Sequence, residues 1–196
     1  MSEPAVKFDN IIDDRKREIY YGKIVMMASG SLTHAYVMKK IFSNFDRHFD
    51  GTDCEAYMNN VDVILADDCT LVPDVLVVCK RVTIDPDKGV MGAPNLVVEV
   101  LSPSTMLRDK TEKKDIYEKN GVKEYWLVDT KGMYIEIYAL NESGRFDLVN
   151  LCQYYTEKDI AGMTYKEKEK VIHAFTPHTF PDIAFSLSNI FKGAPR

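Results

Sequence analysis

The sequence predicts a mixed α/β (α+β) fold, a central mixed β-sheet flanked by helices. Three observations point there. Short runs rich in β-branched and aromatic residues recur along the chain, among them PDVLVVC, NLVVEVL, KEYWLVD and KGMYIEIYAL. Two segments, 31–49 and 108–122, instead carry helical patterns. The order of these segments is helix, strands, helix, strands, as in a sheet with helices packed on it.

In chain order, residues 1–17 are polar and read as a loosely held N-terminal segment, followed by one domain over 18–196. EIYYGKIVMMAS (18–29) reads as two short strands or a hairpin around Gly22. In the first helix, Leu32, Tyr36, Val37, Ile41 and Phe45 recur at three- and four-residue steps, and Ser31 suits its N-cap. Residues 53–80 read as strands, with Pro73 at the start of one, where proline is tolerated. IDPDKGVMGAP (84–94) reads as a loop and NLVVEVL (95–101) as a strand stopped by SPS. The helix over 108–122 has its stop at Asn120-Gly121. Strands follow at 123–129, 131–140 and 145–154. Residues 156–170 read as a surface excursion, and SLSNIF as a last short helix.

The bulk numbers exclude several classes. With 196 residues, 45% hydrophobic and 28% charged, the chain has the composition of a globular domain rather than of a disordered one. A net charge of -5 provides no broad basic field, so any nucleic-acid contact needs locally concentrated positive charge. No apolar run approaches the roughly 18 residues that cross a bilayer, and MSEPAVKFDN is not a signal peptide. Cys54, Cys69, Cys79 and Cys152 form no metal-ligand spacing and read as reduced thiols, which implies a cytoplasmic protein.

Glu99 is the residue that needs explaining. It interrupts the apolar run Leu96–Leu101, and an ionised carboxylate without a partner costs several kcal/mol to bury. Asp74 opens another apolar strand 25 residues earlier. On neighbouring strands, about 4.8 Å apart, the two carboxylates would share one pocket and repel each other. A hard cation such as Mg²⁺ removes that conflict and can supply the water for phosphodiester cleavage. Lys113 lies on the following helix in one stripe with Asp109, Ile116, Tyr117 and Asn120, from which it could reach the acids. Structural alternatives remain open: a turn residue at Asp74, an ion-paired Glu99, a surface pair of Asp109 with Lys113, or a capping box of Asp109 with Glu112.

PDVLVV, GAPNLVVEVLSPST and DKTEKKDIYEKNGVKEYWLVD together resemble the Uma-type restriction-endonuclease family of the PD-(D/E)XK nuclease superfamily. The likeness extends to EIYYGKIVMMAS, His34 and FPDIAFSLSNIF, over about residues 18–192. It implies a restriction-endonuclease-like core with a Mg²⁺ (or Mn²⁺) site, DNA as substrate and a homodimer. Asp74 matches the family's first acid and Glu99 its second, the pair that would hold the metal. The superfamily's lysine position, two residues after Glu99, is Leu101 here; Lys113 matches the lysine that the family carries on the next helix. Glu18 and His34 match accessory positions, whereas Lys23 stands where the family often has an acid. Tyr125 and Trp126 read as packing residues.

Two functions follow. One is a metal-dependent DNA endonuclease in which Asp74, Glu99 and Lys113 are catalytic, with Arg108, Lys110 and Lys114 placing positive charge nearby. The alternative is a non-cleaving, nucleic-acid-associated or regulatory homo-oligomer on the same fold. The presence of all three residues favours the first.

Overall fold

The computed structural model of the chain describes residues 16–195, apart from Ala28 and Arg81. The N-terminal segment read at 1–17 therefore lies largely outside the described residues. The described residues begin with β1 (Arg17–Tyr20) and β2 (Lys23–Met26), then α1 (Leu32–Phe49). Strands β3 (Cys54–Met58), β4 (Val63–Ala66), β5 (Cys69–Leu71), β6 (Val75–Cys79), β7 (Thr83–Asp85), β8 (Gly89–Met91) and β9 (Leu96–Val100) follow. Next come α2 (Met106–Arg108), a π-helical turn (Asp109–Lys113) and α3 (Lys114–Lys119), which run on as one continuous helical segment. The chain continues through β10 (Glu124–Asp129), β11 (Tyr134–Leu140) and β12 (Phe146–Gln153), then α4 (Glu157–Gly162) and α5 (Tyr165–Lys168). It closes with β13 (Ala174–Phe175), β14 (Phe185–Ser186) and α6 (Leu187–Phe191).

The central sheet has the order β12-β11-β10-β9-β6-β3. It is mixed: β9 and β10 run parallel, and the other pairs antiparallel. The parallel pair is connected through the helical segment 106–119, as a parallel crossover requires. A second, smaller sheet has the order β2-β1-β5-β4-β8-β7.

Side-chain alternation divides the core. Leu96, Val98 and Val100 pack with Trp126, Val128, Val37, Ile41 and Phe45, beneath α1 and α6. Val97 and Leu101 pack with Tyr125, Leu127, Ile116, Tyr117, Tyr20 and Leu71, beneath the second sheet and the 106–119 helix. Val97, Glu99 and Leu101 share a face by strand period, so Glu99 points into this second layer. Burial at about 25 cal/mol per Å² of apolar surface makes the two layers the main stabilising contribution.

Most elements lie where the sequence pattern placed them. The first helix is N-capped by Ser31, whose hydroxyl accepts the His34 backbone N–H. Gly22 and Gly121 take φ of 82° and 84°, the left-handed region that glycine enters without steric cost, and so serve the hairpin turn and the helix stop.

Three readings are corrected. Residues 84–94 are not a plain loop: β7 and β8 form a hairpin there, too short for periodicity to reveal. Leu32 does not face the core; it is 79% exposed. Nor are all four cysteines free thiols. Cys54 and Cys79 are directly opposed on β3 and β6 with Cα atoms 4.0 Å apart, and they form a disulfide. Their 25-residue separation hid a pairing made across the sheet. Cys69 and Cys152 are free and buried. Among the described residues no helix is long and apolar enough to cross a membrane.

Candidate active site: a buried acid–lysine centre

Glu99 is 3% exposed and fully inside the second core layer. Its Oε1 accepts from Lys113 Nζ at 2.9 Å and from the Tyr117 hydroxyl at 3.3 Å. The lysine arrives from the π-turn. A π-turn inserts an extra residue into a helix, and its first and last residues here, Asp109 and Lys113, both face inward, where they are 1% and 3% exposed.

Lys113 serves three carboxylates. Its Nζ lies 2.9 Å from Glu99 Oε1, 2.9 Å from Glu18 Oε1 and 3.6 Å from Asp109 Oδ1. Glu18 comes from β1, which lies between β2 and β5 in the second sheet. It also accepts from the Val72 backbone N–H at 3.0 Å and from the Tyr20 hydroxyl at 2.7 Å. Glu18 is thus a buried, hydrogen-bonded member of the centre.

Asp74 immediately precedes β6. The β6–β9 register pairs Val75 with Val98, and its continuation sets Asp74 opposite Glu99. Asp74 Oδ2 accepts from the Val100 backbone N–H at 2.8 Å and contacts His34 Nε2 at 3.1 Å. The side chains of His34 and Asp74 are 16% and 15% exposed, so they form the wet rim of the centre while Glu99 and Lys113 form its closed floor. His34, matched by resemblance to an accessory position, sits with its imidazole on the first acid.

The electrostatics follow from burial. Loss of water pushes the Glu99 carboxyl well above its usual range; Lys113 pulls it back, and Asp109, Asp74 and Glu18 push it further up. Burial also raises Asp109, against the pull of Lys113. For Lys113, burial alone would lower the ammonium, but Glu99, Glu18 and Asp109 outweigh it and carry the group well above its usual value. Burial lowers His34, and the hydrogen bond and charge of Asp74 more than reverse this, so it stands above 6.5.

Three buried carboxylates therefore surround one ammonium, with Asp74 beside them. This surplus of negative charge is what a site for a divalent cation requires, and carboxylate oxygens are the donors that Mg²⁺ or Mn²⁺ prefer. Asp74 and Glu99, opposite each other in the continued register, are the two carboxylates that could hold such an ion. Among the described residues, no three His, Cys, Asp or Glu side chains converge closely enough to ligate one ion, so water would complete the shell.

Sequence reasoning missed two members. Asp109 was recognised on the Lys113 stripe, but only as a surface or capping partner; its i, i+4 relation to Lys113 was the available signal. Lys16 had no signal at all. Its Nζ bonds Asn59 Oδ1 at 2.6 Å, and the Asn59 backbone N–H bonds the Asp74 carbonyl at 3.0 Å. Burial lowers the Lys16 ammonium, with Asp74, Glu18 and Glu99 opposing from nearby.

The basic residues expected to meet phosphate are engaged elsewhere. Lys110 pairs with Glu136 at 2.6 Å, Lys114 stands over the Tyr138 ring at 3.7 Å, and Arg108 lies 5.8 Å from the centre of the Tyr20 ring. Tyr125 and Trp126 are packing residues as read, each with one polar tie: Tyr125 to the Asp109 carbonyl and Trp126 to Glu124.

A layered mixed-sheet core with this arrangement of elements defines the restriction-endonuclease-like class, and a crystal structure shares it. That structure, of a putative nuclease belonging to DUF820 from Anabaena variabilis, superposes with a TM-score of 0.67 at 16% identity and covers 89% of each chain. The chain belongs to the Uma2 family, described as "Putative restriction endonuclease", whose model matches residues 6–160. An uncharacterized protein of Synechocystis is 32% identical over 141 residues, 69% of this chain and 72% of the relative.

Proposed function

We propose that the protein is a metal-dependent DNA endonuclease that hydrolyses phosphodiester bonds, with Asp74 and Glu99 holding Mg²⁺ or Mn²⁺. The carrying observation is the placement of Glu99: a buried acid in the middle of a central strand, facing a lysine and two further acids, with Asp74 across the register. Structural economy does not account for it, because an apolar residue would fill the same position at lower cost. Membership of a family described as restriction endonucleases supports the same reading, as does the nuclease description of the structural relative.

When bound, the cation would polarise the phosphate and activate a water. The chain's own residues divide the remaining work. Asp74 is oriented by the Val100 N–H and by His34, so its carboxylate is held before any ligand arrives. Lys113 keeps its proton in the buried centre and supplies fixed positive charge beside Glu99. Glu18 anchors Lys113, and His34 lies close enough to the rim to exchange a proton with solvent.

We further propose a homodimer; the cytoplasmic expectation rested on reduced cysteines and loses that support with the Cys54–Cys79 disulfide. The aromatic residues Tyr125 and Trp126 of β10 are internal, at 0% exposure. The apolar surface lies instead on the edge strand β12, where Leu148, Val149 and Leu151 are 53%, 45% and 56% exposed. A monomeric mass in solution would remove this part of the proposal.

The second reading, a non-cleaving nucleic-acid-associated module, draws on one observation: Glu99 is closed by Lys113 and Tyr117. Supercoiled plasmid incubated with Mg²⁺ or Mn²⁺ separates the two. The endonuclease reading expects nicking or linearisation by the wild type and its loss in Asp74→Ala and in Glu99→Ala. Cutting that persists in both variants, or no cutting by the wild type, defeats it.

A further inference from the structure

One buried atom in the centre has no structural explanation. Asp109 Oδ1 is shielded from solvent and has no hydrogen-bond partner. The rest of Asp109 is well held: its carbonyl accepts from Tyr125, and the Thr105 side chain bonds its carboxyl. An orphaned carboxylate oxygen in a packed interior is costly and uncommon. This one points at Lys113 Nζ from 3.6 Å, just beyond hydrogen-bond reach.

A second feature meets it. Glu99 cannot give its Oε1 to a cation while Lys113 occupies that oxygen at 2.9 Å. Displacing the ammonium would leave a positive charge buried beside an incoming one. It needs another acceptor within a short movement, and that acceptor should carry negative charge.

Glu18 supplies a pivot for the movement. Its carboxylate is held by the Val72 N–H and the Tyr20 hydroxyl, so the 2.9 Å contact from its Oε1 to Lys113 can persist while the lysine swings. Asp109 supplies the destination. Asp109 and Lys113 are the first and last residues of the π-turn, so the lysine and its second seat move with one rigid piece of backbone.

We propose that Asp109 is a positioning residue whose free Oδ1 receives the Lys113 ammonium, pivoting on Glu18, when Glu99 takes up a divalent cation. The proposal rests on the metal-site reading above and deepens it. It accounts for a buried oxygen that makes no hydrogen bond: the atom is the empty half of a two-position switch. Asp109 itself stays outside the ligand set.

Calorimetric titration of Mg²⁺ or Mn²⁺ alone into the wild type and Asp109→Asn tests it, with melting in EDTA as the control for folding. The wild type should bind. Asp109→Asn should bind about tenfold or more weakly, as lost outer-shell partners do, while melting no lower than the wild type in EDTA. Equal affinity overturns the proposal.

A Mn²⁺-bound crystal structure of the wild type decides the case if the variant folds poorly. Lys113 Nζ should lie within about 3 Å of Asp109 Oδ1 and away from Glu99. A lysine still on Glu99, or Asp109 bound directly to the ion, overturns the proposal and leaves the metal site standing. A wild type that binds neither ion removes the metal-site reading, and this proposal with it.

Discussion

The ammonium of Lys113 lies 2.9 Å from the Glu99 carboxylate and joins a helical turn to the middle of the central sheet. The contact is nearly dry, with side-chain exposures of 4% on each partner. In that setting the lysine is the counter-charge for three acids, and its removal is a folding event as well as a chemical one.

Lys113→Ala should therefore destabilise the protein by about 3–5 kcal/mol, the usual cost of orphaning buried charge. Urea unfolding at neutral pH measures it. A loss below about 1 kcal/mol would mean that water reaches the centre freely.

Glu99→Gln should act in the opposite direction when no metal is present. Because burial raises the Glu99 carboxyl, the folded state favours its neutral form, which glutamine resembles in shape and charge. The variant should melt a few degrees higher than the wild type in EDTA, about 2–4 °C for each kcal/mol gained. It should also lose any upward shift that Mg²⁺ gives the wild type.

The pair of His34 with Asp74 carries a pH signature. The folded-state value of His34 is raised above 6.5, so its contribution is fully present below 6.5 and fades as pH climbs through the raised value. His34→Ala should cost more stability at about pH 6 than at about pH 9. Parallel urea melts of both proteins at the two pH values provide the comparison; an equal cost would show that the ring contributes by packing alone.

Lys16 stands at the rim, bonded to Asn59 and close to Asp74. If DNA enters past Asp74, Lys16→Ala should weaken duplex binding uniformly across sequences. It should also reduce the slope of log affinity against log salt by about 1. Fluorescence anisotropy in Ca²⁺ measures both quantities, and an unchanged slope would place the DNA elsewhere.

The sheet and its two faces were legible because strand alternation is strict: Val97, Glu99 and Leu101 against Leu96, Val98 and Val100. The site was legible because a carboxylate in an apolar strand has few structural uses. What escaped notice depends on distance in space. β7 and β8 are three residues each and lack a readable period. The cross-link of Cys54 to Cys79 depends on strand neighbours 25 residues apart. Lys16 approaches the acids only because β1 joins the second sheet beside β5. The basic run from Arg108 to Lys114 suggested a phosphate surface because its partners Tyr20, Glu136 and Tyr138 lie on other elements.

The π-turn has an evolutionary consequence. Removing Thr111 or Glu112 would let the segment relax into an ordinary helix and turn Asp109 and Lys113 into an i, i+3 pair, still neighbours on one face but differently spaced. Such a one-codon deletion would keep the crossover between β9 and β10 and most of the packing, yet alter the spacing of the two charges that meet at the centre. Helix length between the SPST and YEKNG segments is therefore a marker for sorting relatives by whether they keep this pairing of Asp109 with Lys113.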